Sequence, residues 1–150
     1  MASSRLTPMI GALLRFPHEV VVSRMLAALR KQNLELSQTE LGVFLFPGPD
    51  GRRPSDLARQ CAMTRQAMTY VLAGLEEGGY LQRHDDTETR NGRVVRVTER
   101  GRRVIRVLRG EVEAVEREWA EQLGAGRYAQ LRDTLHELAR RLGKLEGTGR

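Results

Sequence analysis

The stretch from Thr64 to Arg83, TRQAMTYVLAGLEEGGYLQR, changes its hydrophobic period in mid-course, and few folds accommodate that change. Up to Leu75 the apolar residues Met68, Val71, Leu72 and Leu75 recur at threes and fours, which places them on one arc of a helix. Arg65, Gln66, Thr69, Tyr70 and Ala73 fall on the opposite arc. Thr64 precedes the helix with a hydroxyl that can accept from an otherwise orphan amide. Gly78 and Gly79 then stop it, and Tyr80–Arg83 with Arg93–Thr98 read as two short strands. They are joined by HDDTETRNG, in which Asn91–Gly92 is a turn signal.

The preceding PSDLARQCAM reads as a short helix from Ser55, capped by that serine and carrying Asp56 at its positive end. A tight break follows around Ala62–Met63. Two short helices joined by a tight turn, the second polar on its outer face and followed by a hairpin, form a winged helix-turn-helix. The fold class is therefore mainly α with a small β-hairpin wing, flanked by helices.

Those flanks are legible too. A first helix is expected from about Thr7, with Pro8 at its first position and Met9, Ile10, Leu13 and Leu14 as its apolar stripe. Pro17 is expected to break or restart it, and from His18 a second stretch aligns Val22, Met25, Leu26 and Leu29. In SQTE, Ser37 and Glu40 have the spacing of a reciprocal cap, followed by Leu41, Phe44 and Leu45. Two prolines and two glycines in residues 47–52 make a turn. After the wing, Thr98 can cap a long helix with Val104, Leu108, Val112, Val115, Trp119 and Leu123 on one side. GAG at 124–126 interrupts it, and a last helix sets Tyr128, Leu131, Leu135, Leu138, Leu142 and Leu145 at alternating threes and fours, a coiled-coil-like seam. Such stripes need a partner surface. The expected organisation is a helical dimerisation region, 1–34 with 102–150, around a winged helix-turn-helix at 35–101, in one continuous structural unit.

Composition narrows what the polar helix face could meet. The 150-residue chain carries a net charge of +6, and residues 51–110 hold thirteen Lys/Arg against seven Asp/Glu, so the excess lies in the middle segment. A single cysteine, Cys61, and three histidines leave neither a disulfide framework nor a zinc spacing, and no cofactor motif or catalytic nucleophile–base order is present. A non-enzymatic role without a metal or cofactor is expected. No run approaches a membrane span, and the first ten residues lack the charged and apolar parts of a secretory leader, so a cytoplasmic location is expected.

A helix laid in the major groove needs short polar side chains at its N-terminal end. Thr64 would donate to a phosphate, and Arg65, Gln66 and Thr69 would reach base edges, with Tyr70 on the same face. Arg90, Arg93 and Arg96 of the hairpin would serve the flanking backbone or a narrow minor groove. Double-stranded DNA is thus the expected partner.

The run PSDLARQCAMTRQAMTYVLAGLEEGGYLQRHDDTETRNGRVVRVTERG, residues 54 to 101, resembles the DNA-binding core of the MarR family of bacterial transcription regulators. The shared features are the s-x-L-A helix, the Thr-started recognition helix, the L-E-x-x-G-Y-L-x-R exit and the V-x-V-T-E-x-G close. The flanks agree in layout. The resemblance implies a homodimer built from the N- and C-terminal helices, a pseudo-palindromic operator, repression, and a small molecule or oxidant that alters the hold on DNA. It gives Leu131, Leu135, Leu138 and Leu142 a role in the dimer, and offers Arg15, His18 and Trp119 as candidates for an effector site. Where the family's wing carries Asp-x-Arg, this chain has Thr89, Arg90 and Asn91, without the carboxylate–guanidinium pair. Cys61 falls where the first helix of the motif packs on the second and reads as a small buried hydrophobe rather than an oxidant sensor.

Overall fold

Six helices and one hairpin are present in a computed structural model that describes residues 7–87 and 92–145. They fall into two compact units divided between Glu111 and Val112.

In the first unit, α1 (Ile10–Lys31) is a single helix that runs through Pro17. The expected break does not occur, because Pro17 lies in the exposed part of the helix. There the Leu13 carbonyl that loses its partner can be hydrated, while Val22, Met25 and Leu29 anchor the buried half. The start also differs: Met9 is the cap residue, without a side-chain bond, so Pro8 lies outside the helix. Then α2 (Gln38–Phe44) begins with the reciprocal cap that Ser37 and Glu40 suggest: Ser37 Oγ accepts from the Glu40 amide, and the Glu40 carboxylate accepts from the Ser37 amide.

Next come α3 (Pro54–Gln60) and α4 (Arg65–Glu77), separated by a turn in which Ala62 has φ +53°. Ser55 is not the cap of α3. Pro54 occupies the first helical position and moves the cap to Arg53, which makes no side-chain capping bond. After α4, Gly79 takes φ +77°, and β1 (Leu81–Asp85) pairs antiparallel with β2 (Arg93–Val97) in the register Leu81 with Val97 to Asp85 with Arg93. Residues 51 and 52 add main-chain bonds to β2, from the Gly51 amide to the Val95 carbonyl and from the Val95 amide to the Arg52 carbonyl. The 47–52 turn therefore ends as a third edge of the wing.

Helix α5 (Glu99–Leu123) starts where expected: Thr98 Oγ1 accepts from the Gly101 amide and donates to the Gly79 and Tyr80 carbonyls. Gly101 is required there, since a Cβ would stand 2.2 Å from the Tyr80 carbonyl oxygen. The core of this unit gathers Leu29, Leu34, Leu41, Leu57, Met68, Leu72, Leu75, Leu81, Val95 and Val104, all essentially without exposure. Each such aliphatic side chain contributes about 1.5–3 kcal/mol of transfer free energy. Tyr80 crosses this unit: its hydroxyl accepts from the Glu35 amide and from Arg100, and donates to the Glu35 carbonyl.

The second unit holds the rest of α5 and α6 (Ala125–Arg141). The break between them is narrower than GAG suggests, because only Gly124, at φ +88°, leaves the helical path and Gly126 lies within α6. No residue of α6 is buried.

Candidate nucleic-acid interface

The interface begins with the cap of α4. Thr64 Oγ1 accepts from the Ala67 amide at 3.1 Å, which fixes the first turn and leaves the hydroxyl proton free to donate outward. Met68, Val71, Leu72 and Leu75 pull the opposite face into the core, so Arg65, Gln66, Thr69, Tyr70 and Ala73 are all held out to solvent. Arg65 has no ion-pair partner among the described residues. Tyr70 is 83% exposed, an unusual position for a large aromatic ring on a helix that could have buried it. Thr69 departs from the simple picture. Its hydroxyl donates back to the Arg65 carbonyl at 2.9 Å, so it presents a methyl group and an acceptor rather than a donor.

Beside this face runs a groove of about 860 Å³ between α2 and α4, lined by Thr39 and Glu40 on one side and Gln66, Tyr70, Ala73 and Glu77 on the other. Gly74 keeps it narrow, since a Cβ there would come within 3.1 Å of Glu40 Oε1.

The wing sorts its arginines into two kinds. Arg83 points inward and clasps Glu76 of α4 with both ends of its fork, at 2.7 and 2.9 Å. Those bonds hold the Glu76 carboxyl below its ordinary range against the opposing effect of burial, and push the Arg83 guanidinium further up. Arg93 and Arg96 point outward and are mostly exposed, each only loosely associated with a carboxylate, Asp85 and Asp50, at 4.0 Å. Two of the eight expected DNA contacts are therefore placed on the wing, beside five on and before α4. The eighth, Arg90, lies outside the described residues, as do Thr89 and Asn91.

Reasoning from the sequence alone missed what steadies the wing. Asp50 accepts from the Val97 amide at 2.9 Å, and Arg53 pairs with Asp86 at 3.1 Å, so residues 50–53 hold the hairpin at its base and near its tip. The signal was present as PDGRR immediately before Pro54, which reads equally well as a plain turn.

The effector candidates are dispersed in the chain. Arg15 pairs with Glu19 one turn on and stacks over Phe16, and His18 is exposed on the same stretch of α1. Trp119 is half-buried on the part of α5 that belongs to the second unit. Leu131, Leu135 and Leu138 are exposed along α6, and Leu142 caps its end. Cys61, half-buried at the end of α3, has its thiol pushed up by burial and so stays protonated at neutral pH. Among the described residues there is no cluster of metal-ligating side chains, and no helix is long and apolar enough to cross a membrane.

No protein-family model matches the sequence, and no curated protein matches it. Solved structures do. A MarR-family transcriptional regulator from Rhodococcus sp. RHA1 is 25% identical, with a TM-score of 0.67 over 91% of this chain and 96% of that one. CouR from Rhodococcus jostii RHA1, bound to p-coumaroyl-CoA, is 25% identical, with a TM-score of 0.66 over 91% and 96%. CouR, a transcriptional repressor, is also known bound to a 23-mer DNA duplex. A MarR-family protein of Mycobacterium tuberculosis in complex with salicylic acid is 26% identical, with a TM-score of 0.62 over 91% and 99%. In motif, fold and extent, the chain is a winged helix-turn-helix protein similar to MarR-family transcriptional regulators.

Proposed function

We propose that the chain is a sequence-specific, DNA-binding transcription regulator that represses by occupying a pseudo-palindromic operator as a homodimer in the cytoplasm. The observation that carries this reading is the outward face of α4, where a capped helix start presents Arg65, Gln66, Thr69 and Tyr70 with Arg65 unpaired among the described residues. A side chain that forms no ion pair within its own protein is available to guanine O6 and N7, and each good bidentate contact discriminates by about 1–3 kcal/mol. Arg93 and Arg96 add positive charge beside it for phosphate contact.

Repression by a dimer requires two copies of α4 in successive major grooves, roughly 34 Å apart. The seam of Leu131, Leu135, Leu138 and Leu142 is suited to join the copies, with 1–34 and 102–150 as the dimerising region around 35–101. The ligands of CouR and the Mycobacterium tuberculosis protein support an effector here too, an organic acid or its thioester, acting by changing the groove-to-groove spacing. Such coupling is typically about 1–3 kcal/mol.

Fluorescence anisotropy tests the reading with DNA from upstream of the chain's own gene and a scrambled duplex. A preference of about a thousandfold or more at two protomers per duplex is expected. Arg65→Ala should relax base preference at one position per half-site, while Arg93→Ala should weaken all sequences and flatten the salt dependence. Equal, salt-sensitive binding to both duplexes and to a genomic library would instead mark a non-specific nucleic-acid binder.

A further inference from the structure

The outward face of α4 changes character along its length. Its first turn presents Arg65 and Gln66, both exposed and both ending in hydrogen-bonding groups. One turn on, the exposed groups are apolar. Thr69 turns its hydroxyl back to the Arg65 carbonyl at 2.9 Å, so its oxygen lies against the helix backbone and its methyl group is the substituent left to solvent. Tyr70 beside it is 83% exposed, and the exposed Ala73 adds a methyl group one turn beyond Thr69. Glu77 then ends the strip with a negative charge, which phosphates repel.

In the major groove the base edges offer donors and acceptors throughout, and a single apolar group, the C5-methyl of thymine. An apolar strip on a helix lying in that groove has no other counterpart among the bases. Thr69 lies one turn from Arg65, about 6 Å along the helix, and successive base pairs are about 3.4 Å apart, so the bases these two residues meet are separated by about two steps at most.

We infer that α4 reads a thymine by its C5-methyl group, packed against the Thr69 methyl group with the Tyr70 ring beside it, within about two base pairs of the guanine met by Arg65. Thr69 has this role only where α4 enters the major groove of an operator, as proposed above.

Deoxyuridine, which is thymidine without the C5-methyl group, provides the probe. The full-length protein is used to enrich duplexes from a random-sequence library, and each thymine in one half-site of the best duplex is replaced in turn by uracil, with affinity read by fluorescence anisotropy. One replacement, close to the guanine whose loss Arg65→Ala tolerates, should weaken binding about fourfold, the burial of one methyl group. Thr69→Ser keeps the hydroxyl and lacks the methyl group, and should bind thymine and uracil at that position within about twofold of each other. Thr69→Val keeps a methyl group and lacks the hydroxyl, and should retain a ratio of about fourfold. Any effect of uracil on the duplex itself would be common to all three proteins. Loss of the ratio in Thr69→Val would mean that the hydroxyl meets the base, and would overturn the assignment, as would equal affinity for thymine and uracil throughout the half-site. Either result leaves a sequence-specific regulator standing. Failure to enrich any sequence would remove the operator, and the thymine contact with it.

Discussion

Helices α4 and α6 carry the same spacing of apolar residues and meet opposite fates. In α4, Met68, Leu72 and Leu75 have no exposure and Val71 has little, because α2, α3 and β1 close over that face. In α6, Leu131, Leu135 and Leu138 stay 41–46% exposed, and no residue is buried. The periodicity of a stripe says that a face is made to be covered; what covers it is settled elsewhere in the sequence. For α4 the cover lies within its own unit, in the helices and hairpin that its caps and glycines set at the right angle. For α6, whose helix would be marginal in water without tertiary support, our reading assigns the cover to a second copy.

The widest gap between the two stripes should appear on truncation. Leu72→Ala removes side-chain volume from a sealed core and is expected to cost about 3 kcal/mol, at any protein concentration, in chemical denaturation. Leu135→Ala should behave differently. Its melting point should fall with dilution more steeply than that of the parent, and sedimentation should show the dimer dissociating at higher concentration, since a stripe that serves an interface stabilises by mass action. Identical sedimentation of Leu135→Ala and the parent would break the comparison and remove α6 from the dimer.

A smaller effect tests how the first unit holds its elements together. Tyr80→Phe keeps the ring under Arg100 but removes the hydroxyl that serves Glu35 and Arg100 at once. The expected loss is about 1–2 kcal/mol by thermal denaturation, since the Glu35 amide and carbonyl lose a common partner. Leu135→Ala and Tyr80→Phe should add, being remote from each other in mechanism.

The two stripes also show what could be read in advance. The winged helix-turn-helix was legible because its punctuation is local: Thr64 and Thr98 make the capping bonds their positions suggest, and Gly78–Gly79 ends α4. The outward face of α4 followed from the same periodicity that fixed its inward face. Pro17 and Ser55 were misread because a local rule met a stronger circumstance, solvent exposure around Pro17 and the prior claim of Pro54 on the first helical position. The bonds of Gly51 and Arg52 to Val95, and the contacts of Asp50 and Arg53 with the wing, join residues more than thirty apart, and no short window of sequence contains them. Gly101 lies between these cases. Its place in the V-x-V-T-E-x-G close was visible, but the reason, the nearness of the Tyr80 carbonyl, belongs to the packed structure.

The smallest expected effect concerns the clasp between α4 and the wing. Glu76 and Arg83 are each about a quarter exposed, so solvent screens the pair without abolishing it, and its net worth is about 0.5–1 kcal/mol. The Glu76 carboxyl is held below its ordinary value of 4.5, first by the hydrogen bond from Arg83. A carboxyl lowered on folding contributes stability that is complete above the unfolded value and is lost as the pH falls through the folded one. The parent should therefore lose this contribution below about pH 4.5, while Glu76→Gln, which keeps one hydrogen bond to Arg83 but has no proton to take up, should lack that part of the acid limb. Urea denaturation from pH 7 to pH 3 would measure it. The two proteins should differ most at neutral pH and converge in acid, and parallel curves would mean that Glu76 and Arg83 do not join helix to wing in solution.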